Sequence, residues 1–235
     1  IHEADAPMLR SRRAHVREYL DGRGRYLADP EGAAKVTGAA NAVISGEMEP
    51  TLLVRGGETL SLGGGVTVSV HAIPGHTPGS VAYVVDGQRS VFVGDAVQIH
   101  GAANHFPGYT DPVAYRASLK RLRDEIRPRR LYLGHPYRRA DGTPYGVELD
   151  EAQAEEAVTQ SLDIEARVAS AARGCLEAGP RETESPYSPF AHAAEELGCT
   201  GDPALEPSPF FTTMAGYRTH FEQHVQTQEH RSHPS

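Results

Sequence analysis

Three times in this chain an apolar, strand-like run ends in glycine and is followed at once by a residue able to bind a metal. The runs are Ala72-Ile73-Pro74-Gly75-His76, Val91-Phe92-Val93-Gly94-Asp95 and Leu131-Tyr132-Leu133-Gly134-His135. Glycine lets a backbone turn sharply and approach other groups closely. A His or Asp directly after it stands at the rim of a core, where an isolated carboxylate is costly unless paired or metal-bound. If the three strands lie side by side, the three side chains meet along one edge of a sheet. Each has a plainer reading alone: His76 as a hydrogen-bonded turn residue, Asp95 as a turn former, His135 as a capping group. The matched context, three times over, favours a metal centre.

The surrounding pattern predicts a mixed α/β chain. Helices are expected over 7–21, ended by Gly22, and over 30–44. Short β-branched or apolar runs at 51–54, 59–62, 66–73, 80–85, 90–93 and 131–133 read as strands. In 66–73, Val66, Val68, Val70 and Ala72 share a face, with Thr67, Ser69 and His71 opposite. The 80–85 run is apolar on both faces, so it is expected to be central. Asp111-Pro112 opens a helix with Asp as N-cap and a stripe of Val113, Leu119, Leu122 and Ile126, which Pro128 stops. A long helix begins near Leu149, acidic at its start, with Arg167 and Arg173 toward its end and Gly174 closing it. Ser-Pro-Phe at Ser188 and Ser208 marks two more helix starts. In the second, Phe210, Met214, Tyr217, Phe221 and Val225 recur as packing residues, and the tail from Gln228 is expected to fray.

Gly75-His76-Thr77-Pro78-Gly79-Ser80, Phe92-Val93-Gly94-Asp95 and Leu133-Gly134-His135 together resemble the second half of the metallo-β-lactamase superfamily pattern, over about residues 1–136. Tyr115 to Leu122 also resembles the family helix that precedes the last ligand strand. The resemblance implies an α/β protein of αββα sandwich type over 1–147, lacking its N-terminal part, with a helical C-terminal region over 148–235 that packs over the metal-bearing edge. It implies that His76 completes a first metal site, that Asp95 bridges two metals as the catalytic carboxylate, and that His135 belongs to the second site. Two zinc ions are the expected cofactor, with iron or manganese also compatible with these donors. The implied chemistry is hydrolysis of an ester, thioester, lactone or amide by a metal-activated hydroxide.

The chain departs from that pattern in one respect. The family's earlier His-x-His-x-Asp-His motif is nowhere in it, and His2-Glu3-Ala4-Asp5 has the wrong spacing, resembling instead the family segment just downstream. The expectation is that a segment bearing the motif lies outside this sequence, and that the chain as written is inactive. A metal-poor binding protein and an iron-dependent oxygenase of the same fold are the competing readings. A serine hydrolase is not, because no Gly-x-Ser-x-Gly elbow is present.

Other features narrow the partners. Arg138 and Arg139 follow His135 closely and are candidates for holding an anionic group of a small-molecule substrate, whereas the arginines and Lys120 between Arg116 and Arg130 read as solvated surface. A net charge of −8 argues against nucleic acid. No apolar run approaches the ~20 residues that span a bilayer, and the first residues lack a signal-peptide layout, so a cytoplasmic setting is expected. Cys175 and Cys199 read as reduced thiols. His100 and His105 lie in the loop after Asp95, which is placed to border a pocket, with His105 read as a surface residue, while His220 and His224 read as structural or solvent-facing. The oligomeric state is not written in these patterns.

Overall fold

The computed structural model describes residues 1–15, 30–44, 46–102, 106–200 and 209–232. Six strands form one sheet in sequence order: β1 (Thr59–Gly63), β2 (Val66–Ala72), β3 (Val81–Val85), β4 (Ser90–Gly94), β5 (Arg130–Leu133) and β6 (Glu148–Asp150). Neighbours are antiparallel except β4 and β5, which are parallel. Because β3 runs against both β2 and β4, the strands β2, β4 and β5 point the same way. Their C-terminal ends therefore share one edge of the sheet.

Cross-strand register explains which face is core. Val84, Val91, Leu131 and Leu149 stand opposite one another across four strands. The last three are fully buried beneath two helices. One is α4 (Pro112–Arg121), running on into a π turn at Leu122–Ile126; the other is α5 (Glu151–Glu177). Leu119 and Leu122 of the first helical segment, and Ala154, Ala157 and Val158 of the second, fill the same core. The alternate row carries Tyr83, Phe92 and Tyr132 to the other face, where Phe92 is 44% exposed and stacks flat on Tyr132 at 4.4 Å. The described residues thus hold one sheet layer of the expected sandwich, with α4 and α5 on one side. A second cluster joins Ala171, Ala172, Cys175 and Leu176 of α5 to Phe190 and to Phe211 and Met214 of α7 (Pro209–Ser232). The short α6 (Ala191–Glu196) contributes Ala193 and Ala194. No helix among the described residues is long and apolar enough to cross a membrane. Cys175 and Cys199 are thiols rather than a disulfide, and burial pushes the Cys199 thiol up to about 11.

Several expected elements take a different form. The 7–21 helix breaks at Ser11, whose backbone is extended, into α1 (Ala6–Arg10) and α2 (Arg12–His15); residues 16–21 lie outside the described part. The 30–44 helix is α3 (Pro30–Val43). The 51–54 run is not a strand: Val54 bridges His2 in parallel, while Leu52 and Leu53 stay exposed. Gly174 does not end the long helix, because buried Ala171, Ala172, Cys175 and Leu176 flank it. Their packing outweighs the ~1 kcal/mol that one helical glycine costs. At Ser188 the hydroxyl donates to Glu182 and accepts from the Thr183 N–H instead of capping a helix, so α6 starts later, with Phe190 as N-cap. Ser208 and the side chain of Val225 lie outside the described part, and α7 continues past Gln228 to Ser232. The division expected between residues 147 and 148 falls at the start of β6, inside the sheet.

Candidate metal centre

The turns that carry the three candidate donors leave the C-terminal ends of β2, β4 and β5. Asp95 and His135 directly follow the neighbouring β4 and β5 ends. His76 must reach past β3, two strand spacings of ~4.8 Å away, and the turn of 73–80 carries it there. That turn closes on itself through the Ile73 N–H to the Ser80 carbonyl (2.9 Å) and is fastened to the start of α4 by the Thr110 and Asp111 N–H groups on the Gly75 carbonyl (2.8 and 3.0 Å). Gly75, at φ +144, lies so close to Tyr115 that a Cβ would sit 2.4 Å from the Tyr115 Cα.

The side chains converge on Asp95. His76 Nε2 is 3.8 Å from Asp95 Oδ2, and His135 Nε2 is 3.5 Å from Asp95 Oδ1. Two donors on one tetrahedral zinc, each ~2.0–2.1 Å from it, stand about 3.4 Å apart. Both separations fit an ion held between each pair. Among the described residues no three His, Cys, Asp or Glu side chains form one metal cluster; the three candidate donors instead make two pairs that share a carboxylate, one imidazole to each oxygen. The His76 side chain is 14% exposed and that of His135 57%, so the His135 side of the carboxylate is the one open to solvent.

The surrounding groups orient these donors. His76 Nδ1 lies 2.7 Å from the Gly108 carbonyl. A carbonyl only accepts, so Nδ1 carries a proton, the Gln98 amide nitrogen 3.2 Å away turning its hydrogens to the Asp95 carbonyl and the Tyr137 oxygen instead, and Nε2 is the atom that faces Asp95. The Tyr137 hydroxyl, itself buried, donates to Asp95 Oδ1 at 2.8 Å. Gln98, 5% exposed, donates from its amide to the Asp95 carbonyl (2.7 Å) and accepts from the Gly108 N–H (3.2 Å). It thereby ties the Asp95 turn to the loop that fixes His76. Neither Gln98 nor Tyr137 stands out in the sequence; the one signal is a lone polar residue in the apolar run Ala96-Val97-Gln98-Ile99.

The C-terminal helix acts from behind this loop. On α7, Thr213 donates to the Pro107 carbonyl (2.9 Å) and accepts from the Tyr109 N–H (3.1 Å). His220 meets Asp111, which caps α4 as expected, at 2.9 Å. Arg138 and Arg139 are engaged within the hairpin of 137–145: Arg138 donates to the Gly142 carbonyl (3.1 Å), and the Arg139 guanidinium lies 4.0 Å over the Tyr145 ring. His100 is half-buried facing Arg167, and burial first, then Arg167, lowers its pKa. His105 lies outside the described residues.

A family model described as the metallo-beta-lactamase superfamily matches residues 6–135, from α1 to His135. The chain belongs to that superfamily. Among curated relatives, a hydroxyacylglutathione hydrolase of Hyphomonas neptunium is 39% identical over 84 residues, covering 36% of this chain and 32% of that protein. One from Nitrosomonas eutropha is 36% identical over 108 residues, covering 46% of this chain and 40% of its own length. The matched segment is thus well under half of these relatives. Among solved structures, a metallo-beta-lactamase family protein from Thermus thermophilus has a TM-score of 0.54 at 18% identity, over 96% of this chain and 66% of that one. A beta-lactamase domain protein from Burkholderia ambifaria has a TM-score of 0.52 at 13% identity, over 86% of this chain and 56% of that one. These share the metallo-beta-lactamase fold.

Gly134 offers a local test of this superfamily site. A Cβ there would lie 2.2 Å from Asp95 Oδ1, so Gly134→Ala must push the carboxylate out of line with His135. Expected are a stability loss of ~1–3 kcal/mol from overpacking and zinc affinity lower by about tenfold or more. Chelator competition reads the second effect. Unchanged zinc affinity in the folded variant would remove Asp95 from the ligand set.

Proposed function

We propose that this chain carries the bridging part of the metal centre of a hydrolase, and that the substrate is a small acyl thioester. One observation carries the reading: a single carboxylate, Asp95, has an imidazole facing each of its oxygens. Bound there, two ions would supply a hydroxide near neutral pH and polarise the substrate carbonyl. Zinc suits the donors best, and iron or manganese is compatible. Asp95 holds the two positions together, and Tyr137 keeps its carboxylate from rotating. His76, locked as the Nδ1–H form, serves the enclosed position, and His135 the open one, where substrate can approach. The thioester class is supported by the relatives whose names denote cleavage of an acyl group from glutathione. An acidic thiol portion would meet Arg138 and Arg139, just past His135; the stacked Arg139 is the more open to replacement.

The test uses protein expressed from the whole open reading frame, loaded with zinc and offered a thioester, an ester and a lactone of one acyl group. The thioester is expected to have the highest kcat/KM. Arg139→Met is expected to raise KM several-fold for an acidic thiol portion and to leave a neutral one unchanged. Hydrolysis of none of the three, with one iron per chain and dioxygen consumption, would replace this reading with an oxygenase.

A further inference from the structure

Asp5 stands 71 residues before His76 in the chain, yet it holds the far side of the same turn. Its Oδ2 accepts from the Thr77 hydroxyl at 2.6 Å and its Oδ1 from the Gly79 N–H at 2.8 Å. The seat is shaped for it, because a Cβ on Gly79 would lie 2.5 Å from the Asp5 Cγ. Thr77 in turn crosses the turn: its N–H reaches the Ser80 hydroxyl at 3.0 Å and its carbonyl accepts from the Gly75 N–H at 3.0 Å. Behind Asp5, Ala6 is buried, and the Glu3 N–H donates to the Val54 carbonyl at 3.0 Å. The acceptor is thus fixed by chain that has no other part in the site.

We propose that Asp5 is a positioning residue for His76, buckling the 76–79 turn from the side opposite α4 so that the imidazole keeps its Nδ1–H on the Gly108 carbonyl and its Nε2 toward Asp95. The two hydrogen bonds are charge-assisted, and an ionised carboxylate is the one side chain of this length that accepts both at once. Without it the turn keeps only its fastening to α4 and its own closure. The tautomer-fixing contact to Gly108 then competes with solvent. The consequence for metal rests on the metal-centre reading above; the buckle itself does not.

The experiment separates the two. In the metal-free protein, long-range proton–nitrogen correlation spectra report the tautomer of each histidine. Wild-type His76 is expected as the Nδ1–H form, and Asp5→Ala is expected to mix its tautomers. Asp5→Asn is expected to restore the wild-type signal, since its carbonyl can accept from Gly79 while its amide donates to the Thr77 oxygen. Zinc titration against a chromophoric chelator is then expected to show about tenfold weaker binding in Asp5→Ala. A wild-type tautomer signal and zinc affinity in folded Asp5→Ala overturns the proposal. If that variant does not fold, Thr77→Val, which removes one of the two bonds, is expected to shift the His76 signal, and no shift there overturns it as well. Mixed tautomers in Asp5→Ala, with no zinc bound even by the wild type, uphold the buckle and sink the metal reading.

Discussion

Asp95→Ala in the zinc-loaded, full-length protein is expected to abolish nearly all metal and turnover, whereas His71→Ala keeps its metal. One substitution removes both bridging oxygens, so each position loses a donor together. Disturbing groups outside a ligand set commonly costs 10–100-fold in affinity, so deleting the shared ligand should exceed about a hundredfold. His71 is the fitting control. It lies in β2, the strand that leads to the His76 turn, but its ring is 3.4 Å from Arg121 rather than on the candidate edge. Burial first, and then the Arg121 charge, lowers its pKa. Its loss should cost ~1 kcal/mol of stability, as for a typical half-buried side chain. Elemental analysis after gel filtration decides: equal metal in the two variants would mean that the Asp95 carboxylate binds no ion.

The second large effect concerns donor number. The 235-residue chain on its own, loaded with zinc and passed through gel filtration, is expected to keep fewer than two ions and to show no steady thioester turnover. Each catalytic zinc ordinarily takes three protein ligands and a water. Here each position is offered one imidazole and one oxygen of a shared carboxylate. Among the described residues, His2 is engaged by the Arg55 carbonyl and the Ala4 N–H, and His100 is half-buried, with its pKa lowered by burial first and then by the Arg167 charge. Two tightly held zinc ions and steady hydrolysis would show that further donors complete the site, with residues 103–105 the first place to search.

The candidate donors were conspicuous because each strand–glycine–donor unit is local: everything that marks His76, Asp95 or His135 lies within five residues. Their convergence was legible only as a condition, since it depends on the directions of β2, β4 and β5, and the reversal in β3 sets those. The groups that orient the donors were hidden for the opposite reason. Tyr137 reaches Asp95 across 42 positions, and Gly108 reaches His76 across 32. Neither residue type is unusual where it stands. β6 escaped because a three-residue strand of Glu148, Leu149 and Asp150 has no periodicity to read, and acidic residues are poor strand formers. The run through Gly174 shows a local stop signal overridden by burial on both sides of it.

The fastening of the turns through their backbones bears on how such an edge can change over generations. The backbone at His76 is held through the Gly75 carbonyl, and that at His135 through the Gly134 N–H on the Gly94 carbonyl at 2.7 Å. None of these bonds passes through a donor side chain. A single exchange at His135, to Asp, leaves these backbone bonds in place while altering the softness and charge offered, whereas any exchange at Asp95 also gives up the bond from the Tyr137 hydroxyl. Of the candidate donors, His135 is therefore the position at which one codon can change the donor chemistry of the edge with least disturbance to its frame.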